Sequence, residues 1–474
     1  MSDFLAQLQA FVGIEGPTQS ARHPITTTAI ADWCDAIGDK NPLYVDDEAA
    51  AKSRHGGIVA PPATLDIWDR PGLPAQARFR PKGKAPAEDP RSKVLKLLED
   101  AGYVGVVAVN SELEIVRYLR PGDLLQNTQV LEDVSAEKQT ALGTGHFVTT
   151  RQRYETVDGE HVGDLLFRIL KFKPGTGTTP QPAADSSAAP DPSPELRPRP
   201  SINRDNAFLF EGYRKNELRI PRCNECGHLF FPPQPRCVTC GSFDVGYVVA
   251  EGSGTVYSHT TVHYPQVKGF GYPLSVAVVE LDAPGEGRPS ERSVRMVSNI
   301  VGVSTDDVHI GMPVEVEWLE AGDVTLPQFR PATPQPSTET LRVADISADA
   351  TLPPWVLPVV PTQIVAGALA TRDFQDVHHD RDLAVKKGSK DIFFNINTSV
   401  GLMERYVTDW AGPEAMITAL RVRLGAPSYP YSHLTFRGSV QSIDAETGRA
   451  VIAVAATNEL GPHITGTVEL ELSQ

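Results

Sequence analysis

The stretch GDKNPLY, residues 38–44, places a carboxylate and an aromatic side chain in a polar loop. Asp39 stands five positions before Tyr44. Far along the chain, the stretch RDFQDVH at residues 372–378 repeats this spacing and ends on a histidine. An aspartate and a histidine can together perform acid–base chemistry, whereas a phenol with a pKa near ~10 is a poor base at neutral pH. The two loops therefore indicate one complete acid–base pair and one incomplete pair.

The segments that follow the two loops also correspond. Eighteen residues beyond Tyr44 the chain reaches Pro62, and eighteen beyond His378 it reaches Ile396. Both intervals contain small or apolar residues and are expected to lead into a helix. The chain is therefore predicted to contain two diverged copies of one unit, in the same register.

Two segments rich in proline and small polar residues divide the chain and are predicted to be linkers, because they cannot bury enough apolar surface to fold. The predicted parts are an outer part at 1–173, a linker at 174–200, a middle part at 201–331, a linker at 332–340 and an outer part at 341–474. Each outer part begins with helical sequence and ends in alternating strands, which is an α+β pattern. The middle part is mostly strands and is preceded by two pairs of cysteines.

The outer parts resemble the MaoC-like, or R-specific enoyl-CoA hydratase, family of hot-dog folds. In the first part the resemblance rests on GDKNPLY and on RPGDLL at 120–125, and in the second it rests on DFQDVH at 373–378. The family's fold wraps an antiparallel sheet around a long helix. The resemblance implies that Asp373 and His378 form a catalytic pair for adding water to an α,β-unsaturated thioester.

The same resemblance implies where the substrate is bound. A glycine at the start of the family's long helix commonly offers its backbone N–H to the thioester oxygen, and Ile396 stands at that position here. A backbone donor does not require glycine, so the Ile396 amide and the Asn395 side chain are expected to bind the substrate oxygen. The alternative is that Asp373 and His378 are ordinary solvated loop residues.

The first copy is predicted to keep the fold without the chemistry, because Asp39 lacks its histidine partner. An alternative is that Tyr44 acts as an acid in a different reaction. A silent copy can still pair with an active one and widen the pocket for an acyl chain.

The middle part begins with two C-x2-C pairs that are ten residues apart. Four thiolates with this spacing can surround Zn²⁺ tetrahedrally and leave no open position, so the site is predicted to be structural. A redox dithiol is the competing interpretation. The four candidate ligands are Cys223, Cys226, Cys237 and Cys240.

The strands that follow suit an OB-like barrel, and residues 201–331 resemble the DUF35 family of zinc-ribbon and OB-fold proteins. That resemblance implies docking of a thiolase-like enzyme. OB folds also bind nucleic acid, but this part carries 11 Lys and Arg residues against 16 Asp and Glu. A single-strand groove needs positive charge, so nucleic-acid binding is not expected.

The whole chain has 474 residues and a formal net charge of −15, which disfavours nucleic-acid and anionic-membrane surfaces. No apolar run is long enough for a membrane span, and the N-terminal sequence lacks the features of a secretion signal. With five cysteines, four of them in metal-ligand spacing, the sequence favours a reducing, cytoplasmic location.

The order of the three parts resembles, in fused form, the bacterial two-subunit enoyl-CoA hydratases of steroid side-chain degradation. This implies an acyl-CoA substrate, a structural Zn²⁺, a thiolase-like aldolase as partner and a homo-oligomer, expected to be a dimer. The product would be a β-hydroxyacyl-CoA ready for retro-aldol cleavage. The rival hypothesis is a non-catalytic scaffold for a thiolase-like enzyme.

Overall fold

The computed structural model describes most of the chain: residues 3–73, 89–177, 192–282 and 294–473. The chain divides into two compact units, one formed by residues 1–182 with 334–474 and the other by residues 183–333. The two outer parts of the sequence thus belong to one unit. Across the described ranges, no helix has the length and apolar character needed to cross a membrane.

The first outer part places most of its helices before its strands. Its second helix shows how the sequence sets the bounds: Thr26 accepts a hydrogen bond from the Ala29 amide at the start, and Gly38 ends it with φ at 69°. The elements are α1 (Asp3–Gln9), β1 (Gln19–Ser20), α2 (Thr27–Ile37), α3 (Pro42–Val45), α4 (Asp47–Lys52), α5 (Pro90–Asp100), β2 (Gly105–Ile115), β3 (Leu125–Val134), β4 (Lys138–Gln139), β5 (Thr144–Thr156) and β6 (His161–Phe172).

The middle unit combines a two-stranded ribbon with a five-stranded sheet, as an OB-like barrel requires. Its elements are α6 (Ala207–Tyr213), β7 (Leu218–Cys223), β8 (Val245–Ala250), β9 (Ser253–Val262), β10 (Leu274–Leu281), β11 (Arg295–Asn299), β12 (Pro313–Ala321) and β13 (Val324–Pro331). The ribbon pairs β7 with β8, and the sheet order is β11-β10-β9-β12-β13.

The second outer part repeats the order of helices and strands. Its elements are β14 (Thr351–Pro358), α7 (Pro361–Ala370), α8 (Arg381–Lys386), α9 (Ile396–Ala411), β15 (Met416–Leu424), β16 (His433–Asp444), β17 (Arg449–Asn458) and β18 (Gly461–Glu471). Helix α9 is buried along nearly its whole length, which identifies it as the central helix of a hot-dog fold.

One eleven-stranded sheet runs through both outer parts. Its order is β1-β3-β5-β6-β2-β15-β18-β17-β16-β14, with β4 beside β5. The two halves join where β2 pairs antiparallel with β15, Leu113 lying opposite Leu420. A single apolar cluster, which includes Trp33 from the first half and Phe436 from the second, packs on this sheet. The α+β class and the hot-dog architecture predicted from the sequence are confirmed.

The expected helix after Pro62 is not formed in the described residues that directly follow it. A 3-10 helix at Pro62–Thr64 is followed by turns at 65–69 and by irregular backbone at 70–72. Pro61 and Pro62 do not account for this, because proline is well tolerated at the start of a helix, as in α5 and α7. The first half has no counterpart of α9 in this described segment.

The two predicted linkers are partly structured where the structure describes them. Arg197 donates to the Gly269 carbonyl at 2.9 Å within the middle unit, so residues near 197 pack on that unit rather than running free. Ser337 donates its backbone N–H to the Asp409 carbonyl at 2.7 Å, which attaches the second linker to α9. Most of the first linker, residues 178–191, lies outside the described residues.

Candidate active site and zinc ribbon

The loop that follows α7 holds the candidate acid–base pair. Arg372 adopts a left-handed conformation with φ at 54°, and the Asp373 amide donates to the Ala368 carbonyl at 2.9 Å. This tight turn points the chain back over the helix that it has just left. The loop then closes into a 3-10 turn, Asp376–His378, which brings His378 beside Asp373.

The reactive atoms of Asp373 and His378 lie close together. The His378 Nε2 atom lies 3.7 Å from the Asp373 Oδ2 atom. The His378 Nδ1 atom is 2.8 Å from the Phe393 carbonyl, which can only accept, so the ring proton sits on Nδ1. Nε2 therefore presents a lone pair towards the carboxylate. The separation is too long for a direct hydrogen bond and suits a small group bound to both atoms.

Burial makes the neutral imidazole the stable form. His378 is 7% exposed. Burial lowers its pKa from the ordinary value, and the nearby Asp373 carboxylate opposes this only in part. A neutral histidine with a free Nε2 lone pair can act as a general base.

The Asn395 side chain is hydrogen-bonded within the protein. Its Oδ1 atom accepts from the Thr398 amide at 2.9 Å and caps the start of α9. Its Nδ2 atom donates to Thr371 Oγ1 at 2.6 Å and approaches Asp373 Oδ2 at 3.4 Å. The Asn395 amide group thus has acceptors within the protein at Thr371 and Asp373.

Ile396 is the first residue of α9, directly after the capping Asn395. The N–H groups of a helix's first turn have no intrahelical acceptor, and they lie at the positive end of the helix dipole. The Ile396 amide therefore offers a donor at a helix N-terminus, as expected from the sequence.

The loop in the first half repeats this backbone. The Asp39 amide donates to the Cys34 carbonyl at 2.8 Å, five residues back, just as the Asp373 amide does to Ala368. Gly38 takes the left-handed conformation that Arg372 takes in the second loop. The two loops are thus one structural motif, with Tyr44 at the place of His378.

The first-half loop encloses a glutamate instead of open space. Glu404, from the middle of α9, is 1% exposed. Its carboxyl group accepts from the Ala63 amide at 2.5 Å and from the Tyr44 hydroxyl at 3.4 Å. Ala63 is one position beyond Pro62, the counterpart of Ile396. The Glu404 carboxyl group therefore lies against the start of the 3-10 helix, next to the counterpart of Ile396.

Glu404 was not identified from the sequence. The available signal was the charged pair Glu404 and Arg405 inside SVGLMERYV, residues 399–407, in the mostly apolar middle of a predicted helix. Burial, together with the Asp39 carboxylate nearby, raises its pKa well above the ordinary value. Glu404 is therefore held neutral, which removes most of the cost of burying it.

The four cysteines of the middle unit converge. Their sulfur atoms all lie within 4.8 Å of one another. Two pairs are 3.6 Å apart, Cys223 with Cys240 and Cys226 with Cys237. Four thiolates around Zn²⁺ at bond lengths near 2.3 Å stand about 3.8 Å apart, so these positions fit a tetrahedral Cys₄ site.

Comparison with known families assigns the first outer part and the middle part. Residues 10–165 match the FAS1-like dehydratase domain region, residues 210–246 match the ChsH2 rubredoxin-like zinc ribbon, and residues 247–319 match the ChsH2 C-terminal OB-fold domain. The first match confirms the dehydratase-type hot-dog fold of the first half. The other two confirm the zinc ribbon and the OB fold.

Curated relatives match this chain over nearly their own full lengths. A probable enoyl-CoA hydratase alpha subunit of Thermomonospora curvata is 41% identical over 335 residues, which is 70% of this chain and 98% of the relative. The alpha subunit of the 3-oxo-4,17-pregnadiene-20-carboxyl-CoA hydratase of Mycobacterium tuberculosis is 39% identical over 70% of this chain and 97% of the relative. The beta subunit of that hydratase is 55% identical over 26% of this chain and 94% of the relative.

Among solved structures, a MaoC-like dehydratase covers 98% of this chain and 100% of its own, with a TM-score of 0.52 and 16% identity. This likeness shows the fold. The relatives show more, because similarity to an alpha subunit and to a beta subunit is found in one chain, as in a fused form. The chain belongs to the family of MaoC-like enoyl-CoA hydratases whose alpha subunits carry a zinc ribbon and an OB fold.

Proposed function

We propose that the second half of the outer unit adds water across the double bond of an α,β-unsaturated acyl-CoA, with Asp373 and His378 as its catalytic residues. The observation that carries this proposal is the 3.7 Å approach of His378 Nε2 to Asp373 Oδ2, with the ring proton held on Nδ1. A water molecule bound between the two atoms would donate one hydrogen bond to each.

The reaction then balances without any other group. Nε2 takes a proton from the water as its oxygen bonds to the β-carbon, and Asp373 orients the water through its second hydrogen. The Ile396 amide donates to the thioester oxygen as it gains enolate character. The protonated imidazole returns its proton to the α-carbon, which leaves a β-hydroxyacyl-CoA and the original neutral histidine.

Asn395 takes a different place in this proposal from the one expected. Its side chain is committed to Thr371, Asp373 and Thr398, so it positions the carboxylate and the helix start instead of binding substrate. The substrate contact at the N-terminus of α9 is assigned to the Ile396 amide alone.

The proposed substrate class is a steroid side-chain enoyl-CoA. The relatives from Mycobacterium tuberculosis are the two subunits of a 3-oxo-4,17-pregnadiene-20-carboxyl-CoA hydratase, and this chain resembles both. The test is to incubate the purified protein with straight-chain and with steroid enoyl-CoAs and to follow the loss of the conjugated thioester. Turnover of the steroid substrate supports the proposal, whereas turnover of straight chains alone would reject the steroid class.

The middle unit is proposed to hold a structural Zn²⁺ and to dock a thiolase-like aldolase. Four converging cysteines leave no ligand position for substrate. On the OB sheet, Tyr257 and Val297 are exposed, and the Arg295 guanidinium lies 3.4 Å from the centre of the Tyr257 ring. Exposed aromatic and arginine side chains are typical of binding hot spots. Elemental analysis should find one Zn²⁺ per chain.

A non-catalytic scaffold is the second candidate function, because the middle unit has the features of a docking module. It does not explain why Asp373 and His378 converge with a free Nε2 lone pair. We also propose a cytoplasmic homodimer, since the cysteine spacing suits a reducing compartment and the family resemblance implies a dimer.

A further inference from the structure

A set of polar contacts reaches the candidate active site from the first half. Arg70 lies in the segment after the 3-10 helix and makes an ion pair with Asp66, Nη2 to Oδ2, at 2.8 Å. The same guanidinium donates to the Thr371 carbonyl at 3.2 Å and to the Asn397 Oδ1 atom at 2.7 Å. Thr371 and Asn397 belong to the second half, so one side chain binds two of its segments.

Arg70 and Asp66 both bind the side-chain amide of Asn397, in the first turn of α9. While Asn397 Oδ1 accepts from Arg70, its Nδ2 atom donates to Asp66 Oδ1 at 2.7 Å. Asn397 is buried, so water does not compete freely for these bonds. The Asp66–Arg70 ion pair therefore fixes Asn397, the residue next to Ile396. The backbone amide of Ile396 is the group assigned to bind the thioester oxygen.

The contact of Arg70 with Thr371 connects it to the Asp373 carboxylate. Thr371, which receives Arg70 at its carbonyl, also accepts from Asn395 Nδ2 at its hydroxyl, and that amide group approaches Asp373 Oδ2. Arg70 thus contacts a residue two positions before Asp373 and a residue one position after Ile396. Fixing both segments sets the distance between the acid–base pair and the helix N-terminus.

We propose that Arg70, supplied by the half that lacks a catalytic histidine, is a positioning residue for the acid–base pair of the other half. The inference rests on the proposed hydration by Asp373 and His378. The first half thus contributes to catalysis, although its own loop has Tyr44 in place of the histidine. Sequence reasoning missed Arg70 because its partners lie some three hundred positions away, where no local pattern links them.

The charge of Arg70 also acts on His378. The groups that face the imidazole are the Asp373 carboxylate, which raises the pKa of His378, and the His379 and Arg70 side chains, which lower it. The Phe393 carbonyl raises it as well. Removing the Arg70 charge should therefore raise the pKa of His378 and move the acidic limb of the kcat/KM profile to higher pH.

The test compares Arg70→Met, Arg70→Lys and a control, Arg153→Met, in the intact chain. Arg153 is an exposed arginine of β5 that pairs with Glu155, a residue with no part assigned in the site. Arg70→Met should lower kcat by about 10- to 100-fold, because a misplaced catalytic group costs rate rather than affinity, and should shift the acidic limb upward. Arg70→Lys should keep the acidic limb at the wild-type pH but recover only part of kcat. A lysine ammonium keeps the positive charge but lacks the planar guanidinium group, which donates to several acceptors in a fixed geometry. Arg153→Met should match the wild type.

The outcomes separate this inference from the proposed function. An NMR titration of His378, assigned with a His378→Gln variant, reports the charge effect without turnover. If Arg70→Met leaves kcat, the limb and this titration unchanged, the inference is wrong. A rise in KM alone would assign Arg70 to substrate binding and also overturn it. A wild type that hydrates no enoyl-CoA rejects the proposed function, while the NMR comparison still decides whether Arg70 acts on His378.

Discussion

At the scale of single residues, burial decides which ionisable groups can do chemistry. His378 and Glu404 are both buried, and each is held in its neutral form. For His378, neutrality leaves a base. For Glu404, it leaves a carboxylic acid buried beside Tyr44. The same physical cause therefore favours the neutral form of a candidate base in one half and of a carboxylic acid in the other.

Glu404→Gln should change how stability depends on pH. In the folded protein Glu404 stays protonated, whereas in the unfolded chain it ionises above about pH 4.3. Between these two pKa values the unfolded state binds fewer protons, so the wild type loses stability as pH rises. Glutamine keeps both hydrogen-bonding partners and does not titrate. The stability of Glu404→Gln relative to the wild type should therefore grow from pH 5 to pH 8, by up to about 1.4 kcal/mol per pH unit.

Denaturant unfolding at several pH values checks this expectation, with the exposed Glu48→Gln as the control. Parallel pH curves for Glu404→Gln and the wild type would show that Glu404 is ionised in the folded protein, which would contradict its assignment as a neutral carboxylic acid.

The sequence predicted some of these residues and not others, for a physical reason. Asp373 and His378 are five positions apart, so a local pattern can show them. The roles of Glu404, Arg70 and Asn395 depend on partners brought near by folding, such as Ala63 for Glu404. Asn395 was expected to bind substrate, and its bonds to Thr371 and Asp373 could not be seen in the sequence.

At the scale of elements, the central helix α9 serves both halves. Its Gly401 faces the ring of Trp33 on α2, and a Cβ atom at Gly401 would overlap that ring. Trp33 is fully buried and has little room to move. Helix α9 was foreseen from its sequence. The absence of an equivalent helix in the described residues just after Pro62 was not foreseen.

Gly401→Ala should destabilise the outer unit. Alanine favours a helix by about 1 kcal/mol over glycine, but overpacking a filled core costs about 1–3 kcal/mol, and the fully buried ring makes the larger cost the expected one. The comparison is with Gly57→Ala, since no atom lies within 4 Å of a Cβ at Gly57. Equal or higher stability of Gly401→Ala in thermal unfolding would mean that α2 and α9 pack more loosely than described.

At the scale of the whole molecule, the outer halves form a continuous sheet, while the middle part is a unit of its own. The sequence indicated this division through its composition, but it could not show that β2 and β15 would join the halves edge to edge. That pairing is a long-range contact with no local signal.

Deleting residues 201–331 should separate the two proposed roles. The shortened chain should still hydrate an enoyl-CoA, because every residue assigned to that reaction lies in the outer unit. It should no longer co-purify with a thiolase-like aldolase, whereas the full chain should. Loss of hydration with the aldolase still bound would reverse the roles assigned to the two units.

The central prediction is that the loop at 372–378 is catalytic and that the loop at 38–44 is not. The most direct measurement is kcat/KM for hydration of a steroid side-chain enoyl-CoA by the wild type, His378→Ala and Tyr44→Phe. His378→Ala should lose at least about 10²-fold, the usual contribution of a positioned acid–base group, and Tyr44→Phe should stay close to the wild type. An active His378→Ala protein together with an inactive Tyr44→Phe protein would contradict this prediction and place the chemistry in the first half.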